Sequence, residues 1–194
     1  MSAALPWLPQ GTVYGALLNF RREWDLWAPQ MTEAPYKAAP QAPVLYIKTA
    51  NTFAPCGASI AVPDEVDVGA TLGLVIGGFE EKLPPALAES AQAATKKEAG
   101  GLHRIAGCVL LNDLSLPHAS YYRPPIKFRN RDGFLGCGPA LQTLPSLDSL
   151  VLEVRINGES VQRVELSTLV RDAATLLRDV SEFMTLQAGD VLML

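Results

Sequence analysis

Short runs of β-branched and aromatic residues, separated by segments rich in proline and glycine, dominate the hydrophobic pattern of the chain. Runs of this kind predict β-strands, here at Val44–Lys48, Leu72–Ile76 and Leu150–Ile156. The third run alternates in part and leads into Asn157-Gly158, a dipeptide typical of two-residue hairpin turns. We therefore expect the next run, Val161–Glu165, to return as its antiparallel partner.

Two segments have helical character instead. A period near 3.6 residues predicts one amphipathic helix of about four turns, with an apolar face made of Leu169, Ala173, Leu176, Leu177, Val180 and Met184. Ser167 or Thr168 can cap its start. Residues 86–100 are rich in helix formers but poor in large apolar side chains, so we expect region 80–101 to be a surface insertion.

These elements predict a single α+β domain over residues 1–194, with a mixed, mostly β core. Residues 1–43, which include a proline-rich stretch, are expected to form an N-terminal lid and loop region. The hydrophobic fraction of 48% and the charged fraction of 19% are typical of a globular protein rather than a disordered one.

Charge and cysteine usage exclude several classes of function. A net charge of −4 argues against a nucleic-acid partner, which would favour a surplus of Lys and Arg. No apolar run reaches the roughly 18 residues needed to span a membrane, and the first residues lack the layout of a signal peptide, so we expect a cytoplasmic location. Cys56, Cys108 and Cys137 are far apart and form no Cys-x-x-Cys pair, which predicts reduced, mostly packed thiols.

Several motifs, in order along nearly the whole chain, carry a family resemblance: Val44–Thr52, Ile60–Pro63, Leu72–Gly77, Ile105–Asp113, Arg131–Gly133 and Phe183–Val191. The chain resembles the fumarylacetoacetate hydrolase family, and within it the N-terminal halves, or separate first subunits, of isomerase/decarboxylases of 4-hydroxyphenylacetate (homoprotocatechuate) breakdown. The resemblance implies a mixed β-sandwich roll with a few flanking helices. It also implies a homodimer or a complex with a metal-bearing homologous subunit, and a carboxylate substrate such as 5-oxopent-3-ene-1,2,5-tricarboxylate or 2-hydroxyhepta-2,4-diene-1,7-dioate.

The positions of the family's metal ligands depart from its pattern. Active members bind Mg²⁺ or Mn²⁺ through a Glu-x-Glu pair and an Asp, because a hard cation needs several oxygen ligands and negative charge. Here Gly69 and Thr71 occupy the positions of the pair, and Asp113 alone remains, as a vestigial ligand or as a turn-forming residue. We therefore expect the isolated chain to bind little metal. The family's His-x-x-Glu lid dyad is replaced by Glu23 and Leu26, and leucine cannot act as a general base.

The remaining candidate residues are basic. Arg123, Lys127, Arg129 and Arg131 lie close together among aromatic residues, a pattern that suits a substrate with several carboxylates but also a solvated strand or an interface. Arg129 takes the place of a family active-site lysine and is a catalytic candidate with Asp113 and, more weakly, His118. Lys48, at the end of its strand, is a further candidate for substrate binding.

Two classes of function follow from these residues. The chain is part of a decarboxylase/isomerase, without a complete metal site of its own, or it is a catalytically degenerate structural or regulatory subunit. A third possibility is a small-dicarboxylate-binding protein that uses Arg123 and Arg129.

Overall fold

The computed structural model describes residues 7–77, 104–118, 126–141 and 146–194. The strands in these ranges are β1 (Val13–Leu17), β2 (Val44–Lys48), β3 (Phe53–Pro55), β4 (Asp67–Gly77), β5 (Arg104–Ser115), β6 (Leu135–Leu141), β7 (Val151–Ile156), β8 (Glu159–Glu165) and β9 (Val191–Met193). The α-helices are α1 (Arg21–Trp27), α2 (Ile126–Arg129) and α3 (Ala173–Ser181). Short 3₁₀ turns lie at Ala28–Gln30, Ala50–Thr52, Leu147–Ser149 and Leu166–Thr168. No helix within these ranges has the length and apolar character needed to cross a membrane.

One mixed sheet and one hairpin form the scaffold. Seven strands lie in the order β2-β1-β9-β4-β5-β6-β3, while β7 and β8 form a separate two-stranded sheet. β1 is parallel to β9 and β3 is parallel to β6, whereas the other neighbours in the large sheet are antiparallel. The predicted α+β class with a mixed β roll is therefore confirmed.

The two faces of the large sheet bury different clusters, because successive residues of a strand point to opposite faces. Leu72, Leu74 and Ile76 of β4 pack in one cluster with α3 and with Leu152 of β7. Val109 and Leu111 of β5 belong to a second cluster, together with residues of β1, β6 and β9. The sheet is thus covered on both sides, which holds its central strands in a fixed register.

The strand predictions are confirmed and the helix prediction needs correction. β2 has the predicted bounds, and Asn157 and Gly158 form the hairpin turn with φ values of 53° and 84°. The long helix is shorter than predicted: it spans Ala173–Ser181, and its cap is Asp172, whose Oδ1 accepts from the Thr175 N–H at 2.7 Å. Ser167 and Thr168 do not cap it, because they belong to a 3₁₀ turn and Leu169 forms a β-bridge with Phe20.

The two regional predictions fall partly outside this description. The predicted insertion at 80–101 lies outside the described residues. The predicted lid and loop region, 1–43, contains α1 but also β1, which lies inside the large sheet between β2 and β9.

Candidate functional site

Alternate residues of β2, Tyr46 and Lys48, converge on Asp113 near the end of β5. Lys48 Nζ lies 2.6 Å from Asp113 Oδ1, and the Tyr46 hydroxyl donates a hydrogen bond to Asp113 Oδ2. Gly15 of β1 is the register partner of Tyr46, and a Cβ at Gly15 would overlap Tyr46 Cζ. Glycine is therefore required at this position for the tyrosine ring to lie across β1 and reach Asp113.

Lys48 is enclosed by oxygen atoms and only 1% exposed. Its Nζ donates to the carbonyl oxygens of Leu114 at 2.8 Å, Arg129 at 2.6 Å and Phe134 at 2.9 Å. An ammonium group has three protons, so Asp113 Oδ1 is an ion-pair partner without a well-directed hydrogen bond of its own. Burial lowers the pKa of Lys48, and the neighbouring carboxylate opposes that shift. Lys48 thus ties three backbone segments around Asp113.

Arg129, the last residue of α2, provides a second cation at Asp113. Its guanidinium carbon lies 4.5 Å from the centre of the Tyr46 ring, and its Nη1 lies 3.3 Å from Asp113 Oδ2. Its Nε is buried and has no hydrogen-bond acceptor among the described residues. The Asp113 carboxylate consequently faces two cations, Lys48 and Arg129, and the hydroxyl donor of Tyr46. Asp113 lies within β5, so the alternative that it is a turn-forming residue is wrong. That it is a vestigial metal ligand stays a prediction.

The positions of the family's metal ligands lie next to this cluster. β4 pairs with β5 so that Gly69 is opposite Asp113, and the Thr71 hydroxyl donates to the Leu194 carbonyl oxygen at 2.9 Å. No group of three or more His, Cys, Asp or Glu side chains suited to a metal ion occurs in the part of the chain that the structure describes. A single carboxylate that already faces two cations and accepts a hydrogen bond from a tyrosine hydroxyl does not fit Mg²⁺ or Mn²⁺.

A cavity of about 430 Å³ opens beside Asp113 and Arg129, between α1, β4 and the β7–β8 hairpin. Glu23 of α1 lines it and accepts a hydrogen bond from the Leu18 N–H at 3.2 Å. Burial raises the pKa of Glu23; Arg129 and the Leu18 N–H oppose this shift, while Asp113 adds to it. Leu26, at the other position of the replaced lid dyad, also lines the cavity and is 70% exposed.

The other predicted site residues are spread more widely. His118 lines the cavity, stacks on Phe128 with 5.4 Å between ring centres, and makes a 2.9 Å contact from Nδ1 to the Leu116 carbonyl oxygen. That contact requires a proton on Nδ1, because a carbonyl oxygen can only accept. Lys127 and Arg131 are exposed and are not among the residues that line the cavity. Arg123 lies outside the described residues.

Two of the family-like motifs serve to hold the loop after α2 in place. The Thr49 N–H donates to Asn130 Oδ1 at 2.8 Å, and Asn51 Nδ2 donates to Asp132 Oδ1 at 2.8 Å. The Gly133 N–H in turn donates to the Asn51 carbonyl oxygen at 3.0 Å. This network connects the segment after β2 to the segment after α2, and so helps to fix Arg129 relative to Lys48.

Tyr46 is the site residue that the sequence reasoning missed. Burial, followed by the Asp113 charge, raises the pKa of Tyr46 well above its ordinary value, so it remains a hydrogen-bond donor. The available signal was the spacing of Tyr46 and Lys48 by two residues in a predicted strand, which places both side chains on one face.

The fold, the ordered motifs and the position of Asp113 together define a class. The chain belongs to the fumarylacetoacetate hydrolase family, whose profile, described as fumarylacetoacetate (FAA) hydrolase C-terminal, matches residues 12–194. The chain is 38% identical over 188 residues to the 4-hydroxyphenylacetate degradation bifunctional isomerase/decarboxylase of Escherichia coli. It is 36% identical over 187 residues to the protein of the same name from Salmonella dublin.

These two alignments cover 95% of the chain and 40% of each relative, so the chain spans about two fifths of the length of the curated relatives it matches. The predicted resemblance to half of such a protein is confirmed, and the assignment to the N-terminal half stays a prediction.

Solved structures agree with this fold. An uncharacterized protein of Mycobacterium abscessus matches with a TM-score of 0.63 and 27% identity, over 94% of this chain and 66% of that one. The 5-carboxymethyl-2-hydroxymuconate delta-isomerase of Mycobacterium smegmatis matches with a TM-score of 0.66, over 97% of this chain and 66% of that one. Since its identity is 24%, the second match supports the fold alone.

Proposed function

We propose that the chain is one half of an isomerase/decarboxylase of 4-hydroxyphenylacetate breakdown, acting on 5-oxopent-3-ene-1,2,5-tricarboxylate and 2-hydroxyhepta-2,4-diene-1,7-dioate. The second half is a homologous, metal-bearing chain or segment. The names and lengths of the curated relatives support this assignment, because the chain matches 40% of their length. The observation that carries the division of labour is the Asp113 cluster, in which Lys48, Tyr46 and Arg129 occupy the one carboxylate left at the position of the family's metal site.

The two halves then contribute different chemistry. Loss of CO₂ or a proton shift in such substrates builds negative charge on an oxygen atom, and an enzyme must stabilise that charge. Any step that needs a divalent cation belongs to the partner half. This half supplies structural support and a cavity lined in part by Arg129. Arg129 can bind a carboxylate but cannot transfer a proton near neutral pH.

Metal titration of the purified chain tests the first part of the proposal. We expect calorimetry to detect no saturable, stoichiometric binding of Mg²⁺ or Mn²⁺, and we expect no turnover of the tricarboxylate. Micromolar metal affinity or turnover by the lone chain would contradict the proposal.

The double variant Gly69→Glu/Thr71→Glu is the matched control for this titration. It places two carboxylates on β4 at the family's ligand positions, one of them opposite Asp113. Because each carboxylate adds an oxygen ligand and a negative charge, we expect tighter metal binding than in the unmodified chain. Equal affinities in the two proteins would show that Gly69 and Thr71 are not what limits metal binding.

Co-expression with a homologue that retains the Glu-x-Glu pair tests the second part. The expected result is a complex of defined mass that is active when neither chain alone is. A complex no more active than the metal-bearing chain alone would favour the alternative, in which this chain is a catalytically degenerate structural or regulatory subunit. The observation that favours this alternative is the replacement of the lid dyad by Glu23 and Leu26, because leucine cannot act as a general base.

A further inference from the structure

We infer that the cavity beside Asp113 is a metal-independent carboxylate-binding site, in which the Arg129 guanidinium supplies the positive charge that a divalent cation would otherwise provide. The inference rests on the proposed function only for the class of ligand, since the substrates named there are carboxylates. Binding itself requires neither the partner half nor turnover.

The hydrogen bonding of Arg129 is incomplete. Its side chain is 13% exposed, yet its one hydrogen bond among the described residues is the 3.3 Å contact from Nη1 to Asp113 Oδ2. A guanidinium carries five N–H donors, and burying them without acceptors is unfavourable. A carboxylate in the cavity would offer two acceptor oxygens in the paired geometry that arginine favours.

The guanidinium is also held in place before any ligand arrives. It lies over the Tyr46 ring at 4.5 Å, and the backbone carbonyl of Arg129 accepts from Lys48 Nζ at 2.6 Å. The side chain and the backbone of the same residue are therefore both fixed by β2. Pre-organisation of this kind reduces the entropy lost when a ligand binds.

Charged groups of both signs surround the cavity, and among them Arg129 has N–H donors left for an incoming anion. Lys48 Nζ lies 2.6 Å from Asp113 Oδ1 and compensates its charge, and Lys48 is not among the residues that line the cavity. Arg129 and Arg22 contribute positive charge to its walls. Three carboxyl groups also line the cavity, those of Glu23, Asp67 and Asp113. Lys48 and Arg129 compensate Asp113, and burial raises the pKa of Glu23, which favours its neutral form.

The size and the apolar walls of the cavity indicate the kind of carboxylate. A volume of about 430 Å³ falls within the range of roughly 300–1,000 Å³ that is usual for small-molecule sites. Leu17, Phe20 and Trp27 provide apolar surface along one wall. An aliphatic dicarboxylate fits this description, with one carboxylate at Arg129 and its carbon chain along the apolar residues.

Calorimetric titration of the unmodified, metal-stripped chain with heptanedioate in metal-free buffer without a chelator tests the inference, and the neutral heptane-1,7-diol serves as the ligand control. We expect saturable binding of the dicarboxylate and none of the diol. Arg129→Gln should weaken binding about 10- to 100-fold, the effect of removing a charge-assisted pair. Arg129→Lys should restore part of the affinity, because it keeps the charge but loses the paired donors.

Arg163→Gln is the matched protein control. It removes the same charge from β8, but from an exposed position between Gln162 and Val164, which line the cavity. Its affinity should equal that of the unmodified chain. Circular dichroism and thermal unfolding establish whether each variant is folded. If Arg129→Gln does not fold, Arg129→Lys still tests the inference.

No binding in metal-free buffer, or binding only after metal is added, would overturn the inference. So would an affinity equal to that of the unmodified chain in Arg129→Gln or in Arg129→Lys. Equal weakening by Arg163→Gln would also overturn it, because the effect would then be one of net charge. These outcomes are separate from the co-expression experiment. The proposed division of labour can fail while carboxylate binding persists, and carboxylate binding can fail while the complex still forms.

Discussion

Replacement of Lys48 by Met tests whether the Asp113 cluster is the electrostatic centre of this fold. The change removes the ammonium group of a residue that is only 1% exposed, while it keeps much of the volume of the side chain. It leaves the Asp113 carboxylate without its nearest cation at 2.6 Å. It also takes a hydrogen-bond donor from three carbonyl groups, those of Leu114, Arg129 and Phe134.

The expected loss of stability is about 3–5 kcal/mol, the usual effect of removing one partner of a buried ion pair. The unpaired carbonyl groups alone would each cost about 1–3 kcal/mol if water did not replace the donor. Tyr46 and Arg129 still face Asp113 in the variant and limit the total. For a chain of this length, 1 kcal/mol corresponds to about 2–4 °C in Tm, so Tm should fall by roughly 6–20 °C.

Urea denaturation and thermal unfolding of Lys48→Met, with the exposed Lys127→Met as control, measure this loss. The double variant Lys48→Met/Asp113→Leu should be more stable than the sum of the two single changes predicts, because the two groups are in contact. A loss below about 1 kcal/mol for Lys48→Met would refute the reasoning, since a buried pair broken at one side should exceed that value. Additive effects in the double variant would refute it equally.

Three further predictions concern single positions. A thiol reagent at neutral pH should label the exposed Cys56 but not the buried Cys137, whose pKa is raised by burial to about 11, and mass spectrometry of the native protein would show which thiol has reacted. Burial raises the pKa of Glu23 above its ordinary value of 4.5. The contribution of Glu23 to stability is therefore present below pH 4.5 and is lost as the pH rises through the pKa of the folded state. Glu23→Gln should flatten that part of the Tm-versus-pH curve, and an unchanged curve would contradict the assignment. Gly15→Ala should displace the Tyr46 ring and cost about 1–3 kcal/mol in a denaturation assay, and wild-type stability would show that the ring can move freely.

Local sequence signals predict the strands well because they act between near neighbours. The β-branched run at Val44–Lys48 and the turn at Asn157-Gly158 each specify a conformation by themselves. The sequence predicts a longer helix than Ala173–Ser181, because the apolar period includes Leu169. In the structure Leu169 instead forms a β-bridge with Phe20. This contact joins residues far apart in sequence and competes with helix formation. The periodicity of the sequence alone does not reveal such a contact.

The same distinction explains how much of the site could be predicted. Asp113, Arg129 and Lys48 were all singled out from the sequence, and the structure brings them together. Their contacts depend on the register of β2 against β1 and of β4 against β5, which no short motif specifies. Tyr46 was missed for this reason, since an aromatic residue in a strand is usually a packing residue until its polar end is seen to reach a partner.

The Asp113 cluster also gives a physical reason why restoring metal binding should need more than one substitution. Two unit charges of the same sign 4 Å apart repel by about 4 kcal/mol at an effective dielectric constant of 20, and a divalent ion doubles that value. Lys48 Nζ is already 2.6 Å from one Asp113 oxygen, and Arg129 Nη1 is 3.3 Å from the other. A metal bound to Asp113 would therefore meet two cations at close range, and two added carboxylates at positions 69 and 71 would first have to offset that repulsion.

We accordingly expect Gly69→Glu/Thr71→Glu to gain further metal affinity when Arg129→Gln is added. The same third change should weaken heptanedioate binding in metal-free buffer. The metal affinity and the heptanedioate affinity should therefore change in opposite directions if the Arg129 charge takes the place of the metal.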